Sequence, residues 1–170
     1  MISPIRKFAG LLVVAIGLTS QVLSADNRPD VSQIITKSFA ADVLDEPVRE
    51  PTPRSGEGAD GYYSKCNYYS IRRGKSLVVR LQLPGPNAIA PDKELQLVAA
   101  ANGTMENVAG IGDVAQMFTA GGESGSTSRV LMLYVVKGGA FITIGISGFA
   151  NDAVALEKAK TVAQKLVDHL

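Results

Sequence analysis

The sequence is short of the side chains that most chemistry needs: one Cys, one His and no Trp among 170 residues. A single Cys excludes an internal disulfide framework, and one Cys with one His falls short of a usual zinc ligand set. Excess charge of either sign is also missing, since 17 Lys and Arg stand against 16 Asp and Glu. The resulting +1 gives no general pull toward nucleic acid or anionic membranes, so no nucleic-acid partner is expected. The length suits one ordinary domain.

What is present begins with a leader. Arg6 and Lys7 precede an apolar run, Phe8 to Leu18, and a polar stretch from Thr19 to Ser24 follows. The run is 11 residues, inside the ~7–15 of a secretory signal and short of the ~20 that cross a bilayer as a helix. Residues 1–24 therefore read as a signal peptide. Val22 and Ser24 are the small residues that place the cut before Ala25, with a cut before Asp26 as the alternative. No Cys follows the run, which argues against a lipid anchor. Cleavage removes Arg6 and Lys7, leaving 146 residues with 15 basic and 16 acidic groups. The expected location is periplasmic or secreted, with no transmembrane segment after cleavage.

Residues 25–30 read as a flexible lead-in and residues 31–170 as a single domain. Ile34, Ile35, Phe39, Ala40 and Leu44 recur near helical spacing, with Thr36 a candidate cap and Pro47 beyond the end. Pro47 to Gly61, rich in Pro and Gly among charges, reads as an irregular or edge segment. Tyr62 to Ser70 and Ser76 to Leu83 read as strands of one hairpin. In the second, Leu77, Val79, Leu81 and Leu83 share one face, with Val78, Arg80 and Gln82 on the other. A helix is expected over Asp92 to Ala101, stopped by Asn102-Gly103. Val130 to Val136 and Phe141 to Ser147 form a second hairpin, because Lys137-Gly138-Gly139 would put a charge and a breaker at the centre of any spanning helix. Asn151 or Asp152 caps a last helix striped by Leu156, Ala159, Ala163, Leu166 and Leu170. The fold class is α+β: an antiparallel β-sheet with helices packed on it.

Several motifs attract attention. Gly110 to Ala115 fits G-x-G-x-x-A, but a dinucleotide turn needs a strand before it and a sizeable helix after it. The expected role is a tight turn with Asp113 bonding local amides. Gly74-Lys75-Ser76 resembles the end of a phosphate loop, yet the Gly required five residues earlier is Tyr69. Arg72, Arg73 and Lys75 nevertheless cluster as a weak anion site. Gly121 to Ser128 lacks a nucleophile elbow, and the lone His169 sits at the end of a helix, so no catalytic residue is assigned. Cys66 reads as a buried small hydrophobe. Tyr62, Tyr63, Tyr68 and Tyr69 read as cross-strand packing or the lining of a groove. Asp113 with Glu106 or Asp92 is the remaining source of acid/base chemistry. No cofactor or metal is expected.

Ile34-Ile-Thr-Lys37, Glu46-Pro-Val48, Cys66-Asn-Tyr68, Val108 to Ala115, Leu133 to Gly138 and the Ala/Leu/Lys-rich last helix occur in one order. Over about residues 31–170 this pattern resembles small exported bacterial proteins of unknown function with a PsbP-like α+β fold. The resemblance implies an antiparallel sheet sandwiched by helices and no established catalytic residues. In such proteins a Cys ahead of the first helix can pair with the Cys of the Cys-x-Tyr segment; this chain has Ser32 near that place and no second Cys. The functional expectation is a non-enzymatic binding module of the cell envelope, for a protein or for a small ligand in a groove beside the sheet. Asp113, Arg72, Arg73 and Lys75 are its candidate ligand-binding residues. The alternatives are an envelope hydrolase using carboxylates around Asp113, or a purely structural envelope component.

Overall fold

The computed structural model describes residues 28–72, 74–123 and 128–170. The signal-peptide reading over 1–24, Arg73, and much of the Gly121 to Ser128 loop lie outside these residues. The elements run α1 (Val31–Ile34), α2 (Lys37–Leu44), β1 (Thr52–Gly58), β2 (Gly61–Tyr69), β3 (Ser76–Pro84), α3 (Pro91–Asn102), β4 (Glu106–Asn107), β5 (Val114–Ala120), β6 (Val130–Lys137), β7 (Ala140–Ser147) and α4 (Asp152–Val167). The seven strands form one antiparallel sheet in the order β1-β2-β3-β7-β6-β5-β4. This is the α+β class expected from two hairpins and amphipathic helices. Among the described residues no helix is long and apolar enough to cross a membrane.

Burial explains why the strand sequences differ. Successive side chains point to opposite faces, and the inner face carries Leu77, Val79, Leu81, Leu131, Leu133, Val135, Ile142, Ile144 and Ile146, all essentially buried. This face packs against α1, α2 and α4, whose Ala40, Leu44, Ala159, Val162 and Leu166 share the same core. Among the described residues the outer face is covered by α3 alone. Leu95 of that helix packs on Tyr134, Val136 and Phe141, and the rings of Phe118, Tyr134 and Phe141 stack at centroid spacings of 6.2 and 6.0 Å. Strand β6 is thus covered on both sides along part of its length and reads as a continuous apolar run. Strand β3 is covered on one side and alternates.

The first helical segment breaks in two. Thr36 takes extended backbone angles and its hydroxyl caps α2 by accepting from the Phe39 amide. The break frees the Ile35 carbonyl, which accepts a hydrogen bond from the fully buried Tyr68 hydroxyl. At the other end of α1, the Val31 amide donates to the buried Ser64 hydroxyl at 2.9 Å. Two polar groups on β2 therefore satisfy orphan backbone groups of the helix above it. Removing one partner leaves the other buried and unsatisfied. Tyr68→Phe is accordingly expected to destabilise the domain by about 1–3 kcal/mol in urea melts, whereas Tyr69→Phe, at an exposed position, leaves the midpoint unchanged.

Pro47 to Gly61 contains an ordered edge strand, β1, paired in full with β2. Pro53 and the charged side chains of Arg54 and Glu57 suit an edge, since Pro lacks a ladder donor and charge discourages pairing with further chains. The segment after the Gly110 turn also holds a strand, β5. Its Ala115 and Met117 belong to the inner core while Phe118 packs toward α3, so both faces are partly covered and no clean alternation marks it.

Candidate functional site

Among the described residues, Asp113 and Lys75 make separate contacts and do not meet. Asp113 is exposed, and both its oxygens are engaged: Oδ1 accepts from Lys137 Nζ at 2.9 Å and Oδ2 from the Gly138 amide at 2.8 Å. These two contacts, the Gly138 amide foremost, hold its carboxyl below the ordinary value of 3.8. Asp113 ties the turn before β5 to the β6–β7 hairpin, and the β5 strand rather than a helix follows the Gly-rich turn. Lys75 turns into the fold. Its Nζ donates to the Leu44 carbonyl at 2.8 Å, lies 3.9 Å from Glu46, and sits 4.5 Å from the centroid of the Phe149 ring. Arg72 remains exposed at the surface. Cys66 is fully buried, and burial pushes its thiol up, which is the state of an inert core residue rather than a nucleophile.

The four tyrosines divide by strand parity. Tyr62 and Tyr68 point inward and are buried, while Tyr63 and Tyr69 stand on the outer face at 36% and 44% exposure. They frame an area that α3 leaves open, over β1, β2 and β3. The ladder there pairs Arg54 with Lys65 and Lys65 with Arg80. Three cations therefore stand side by side on adjacent strands, about 5 Å from one neighbour to the next. No outer-facing position of any described strand carries a carboxylate. None of the three cations takes part in an ion pair among the described residues. Like charges directly opposite one another in a ladder are unfavourable, a cost that the attraction between Arg80 and Glu94 offsets only at one end of the row.

The amides beside the row are also incompletely used. Asn67 lies two residues from Lys65, and Gln82 two residues from Arg80, on the same face. The side-chain carbonyl oxygens of both are buried without a hydrogen-bond partner. Gln82 further lines a cavity of about 290 Å³ between the end of β3 and α3, together with Asp60, Ile89, Glu94 and Leu97. A cationic floor thus runs into a small recess under the first half of α3. A larger surface dish at the end of α4 is lined by Phe39, Lys165 and His169 and by Gly110 and Ile111 of the turn before β5. There the Lys165 ammonium caps the Phe39 ring and His169 bonds its own helix.

Glu94 connects the recess to the floor electrostatically. Burial raises its carboxyl above the ordinary 4.5, Arg80 pulls it down, and Asp60 pushes it up. The folded state therefore binds this proton more tightly than the unfolded chain. Its contribution to stability is full below the unfolded value and declines as pH rises through the elevated folded value. Glu94→Gln should leave the melting temperature unchanged near pH 4 and raise it at pH 7; a variant less stable than the parent at pH 7 would contradict this reading.

The alternation of β3 already set Arg80 on the face opposite Leu77, Val79 and Leu81, whereas Lys65 was not singled out. Their alignment with Arg54 required the register, and Arg54 lay in a segment without strand periodicity. In comparisons with known proteins, no family model matches the chain and no curated protein does.

Proposed function

We propose that the protein is an exported, non-enzymatic binding domain of the cell envelope with a PsbP-like α+β fold, and that it holds a small anionic ligand on the open floor beside α3. One observation carries this reading: three cations aligned across β1, β2 and β3, on a sheet face without a strand carboxylate. The adjoining 290 Å³ recess suits a small molecule. The recess is lined by the apolar Ile89 and Leu97 and by Gln82, Asp60 and Glu94, so it suits the neutral part of such a ligand while the anionic group stays on the cations. The leader supports export, and the committed state of Asp113 and Lys75 supports placing the ligand elsewhere than at the turns.

A ligand that prefers the folded state raises its apparent stability. Purified mature protein is to be screened by thermal shift against small anionic and neutral compounds, with the double variant Lys65→Gln/Arg80→Gln in parallel. Anionic compounds are expected to raise the melting temperature of the parent and not of the variant. Hits confined to neutral compounds, or shifts retained in the variant, would count against the site. Cell fractionation with mass measurement tests export, which predicts a chain beginning at Ala25 or Asp26; an intact chain in the cytosol contradicts it.

A further inference from the structure

We infer that the ligand of the floor carries a phosphoryl group, held jointly by Arg54, Lys65 and Arg80; this rests on the reading of the floor as the binding surface. Register places Lys65 between two arginines, and the outer two α-carbons lie about 10 Å apart. Side chains of that length reach a common point above the central strand. A carboxylate brings one negative charge and two oxygens, which a single guanidinium satisfies in a bidentate pair. A phosphomonoester brings about −1.5 to −2 at neutral pH and three acceptor oxygens, matching three donors and their mutual repulsion. Two arginines flanking a lysine also combine fork-shaped donors with a compact point charge.

The surroundings favour a soluble phosphomonoester over a lipid headgroup in a bilayer. Helix α3 stands on the same face, and a helix with its side chains is about 10–12 Å across. The floor is therefore set back by that depth, and a flat bilayer would meet α3 first. Tyr63 lies beside the row on the same strand, and its ring sits near Gly56 of β1, where no side chain stands. It offers a surface for the organic part of the ester.

Isothermal titration of the mature protein with inorganic phosphate, and separately with succinate as a dicarboxylate of equal charge, tests the assignment. Phosphate is expected to bind one to one, at least tenfold more tightly than succinate, and at least tenfold more weakly to Lys65→Gln and to Arg80→Gln. Removing the central charge also relieves the like-charge row, so Lys65→Gln is expected to melt at or above the parent temperature without phosphate, which separates lost binding from lost folding. Succinate binding as tightly as phosphate, or phosphate binding undiminished in both variants, overturns the proposal. Sedimentation with phosphatidylglycerol vesicles that Arg80→Gln abolishes, without binding of free phosphate, would overturn it in favour of a membrane surface. If an anionic compound from the thermal-shift screen binds through Lys65 and Arg80 while phosphate does not, the phosphoryl assignment fails and the binding surface stands.

Discussion

Leu133→Ala is expected to destabilise the domain by about 2–5 kcal/mol, the range for a fully buried leucine whose cavity cannot collapse. Leu133 is completely buried on the inner face of β6 and pairs in register with Met117 of β5 and Ile144 of β7. The sheet on either side is fixed by its ladders and α4 lies above it, so neighbours have little freedom to fill the space. The matched change on the open side of the outer face, Val78→Ala, removes a half-buried side chain and is expected to cost less than about 1 kcal/mol at the ~25 cal/mol per Å² of apolar burial. Urea denaturation of the two variants checks the asymmetry between the covered and open faces. Equal costs would mean that the floor over β1 to β3 is packed by something in the folded protein.

Gly112→Ala is expected to be nearly as severe. Gly112 has φ +62°, and an added Cβ would lie 2.5 Å from Val135 Cγ1 and 2.6 Å from the Val136 carbonyl oxygen. Left-handed backbone costs a non-glycine residue about 1–2 kcal/mol, and forcing a methyl against a buried strand adds about 1–3 kcal/mol. Gly110 in the same motif also has positive φ, at +84°, but nothing within 4 Å of its would-be Cβ. Gly110→Ala should therefore show the conformational cost alone. The pair of variants, compared by their denaturation midpoints, distinguishes a turn built for close packing against β6 from a loop built to approach a ligand. A cost for Gly110→Ala as large as that for Gly112→Ala would contradict the packing account.

Much of this architecture was legible in the chain because burial and periodicity coincide. Ser76 to Leu83 alternates since one face meets helices and the other meets solvent. Val130 to Val136 is uniformly apolar since α3 closes the second face there. Asn151 caps α4 as its side chain suggested, accepting from the amides of Ala153 and Val154. The break at Ile35 was half legible: Thr36 marked a cap, but the buried Tyr68 that accommodates the break is 33 residues away. Strand β5 was hidden by partial cover on both faces, and β1 by glycines and a proline that a sheet edge tolerates. The row of cations was the least legible part. Arg80 was placed only on one face of its strand, Lys65 was not singled out, and Arg54 lay in a segment read as irregular or edge. Only pairing across two ladders turns three separate cations into a row. Lys75, by contrast, looked free in the sequence because its partners at Leu44, Glu46 and Phe149 come from distant segments.

The central claim is that the open floor of β1 to β3, rather than the turn at Arg72 to Lys75, receives the anionic ligand. Amide chemical-shift mapping of the mature protein during titration with inorganic phosphate tests it most directly. The account predicts saturable shifts centred on Arg54, Lys65 and Arg80 and extending to Asn67 and Gln82, absent in Lys65→Gln/Arg80→Gln. Shifts confined to Arg72 and its neighbours in that turn, with the floor unmoved, would contradict it.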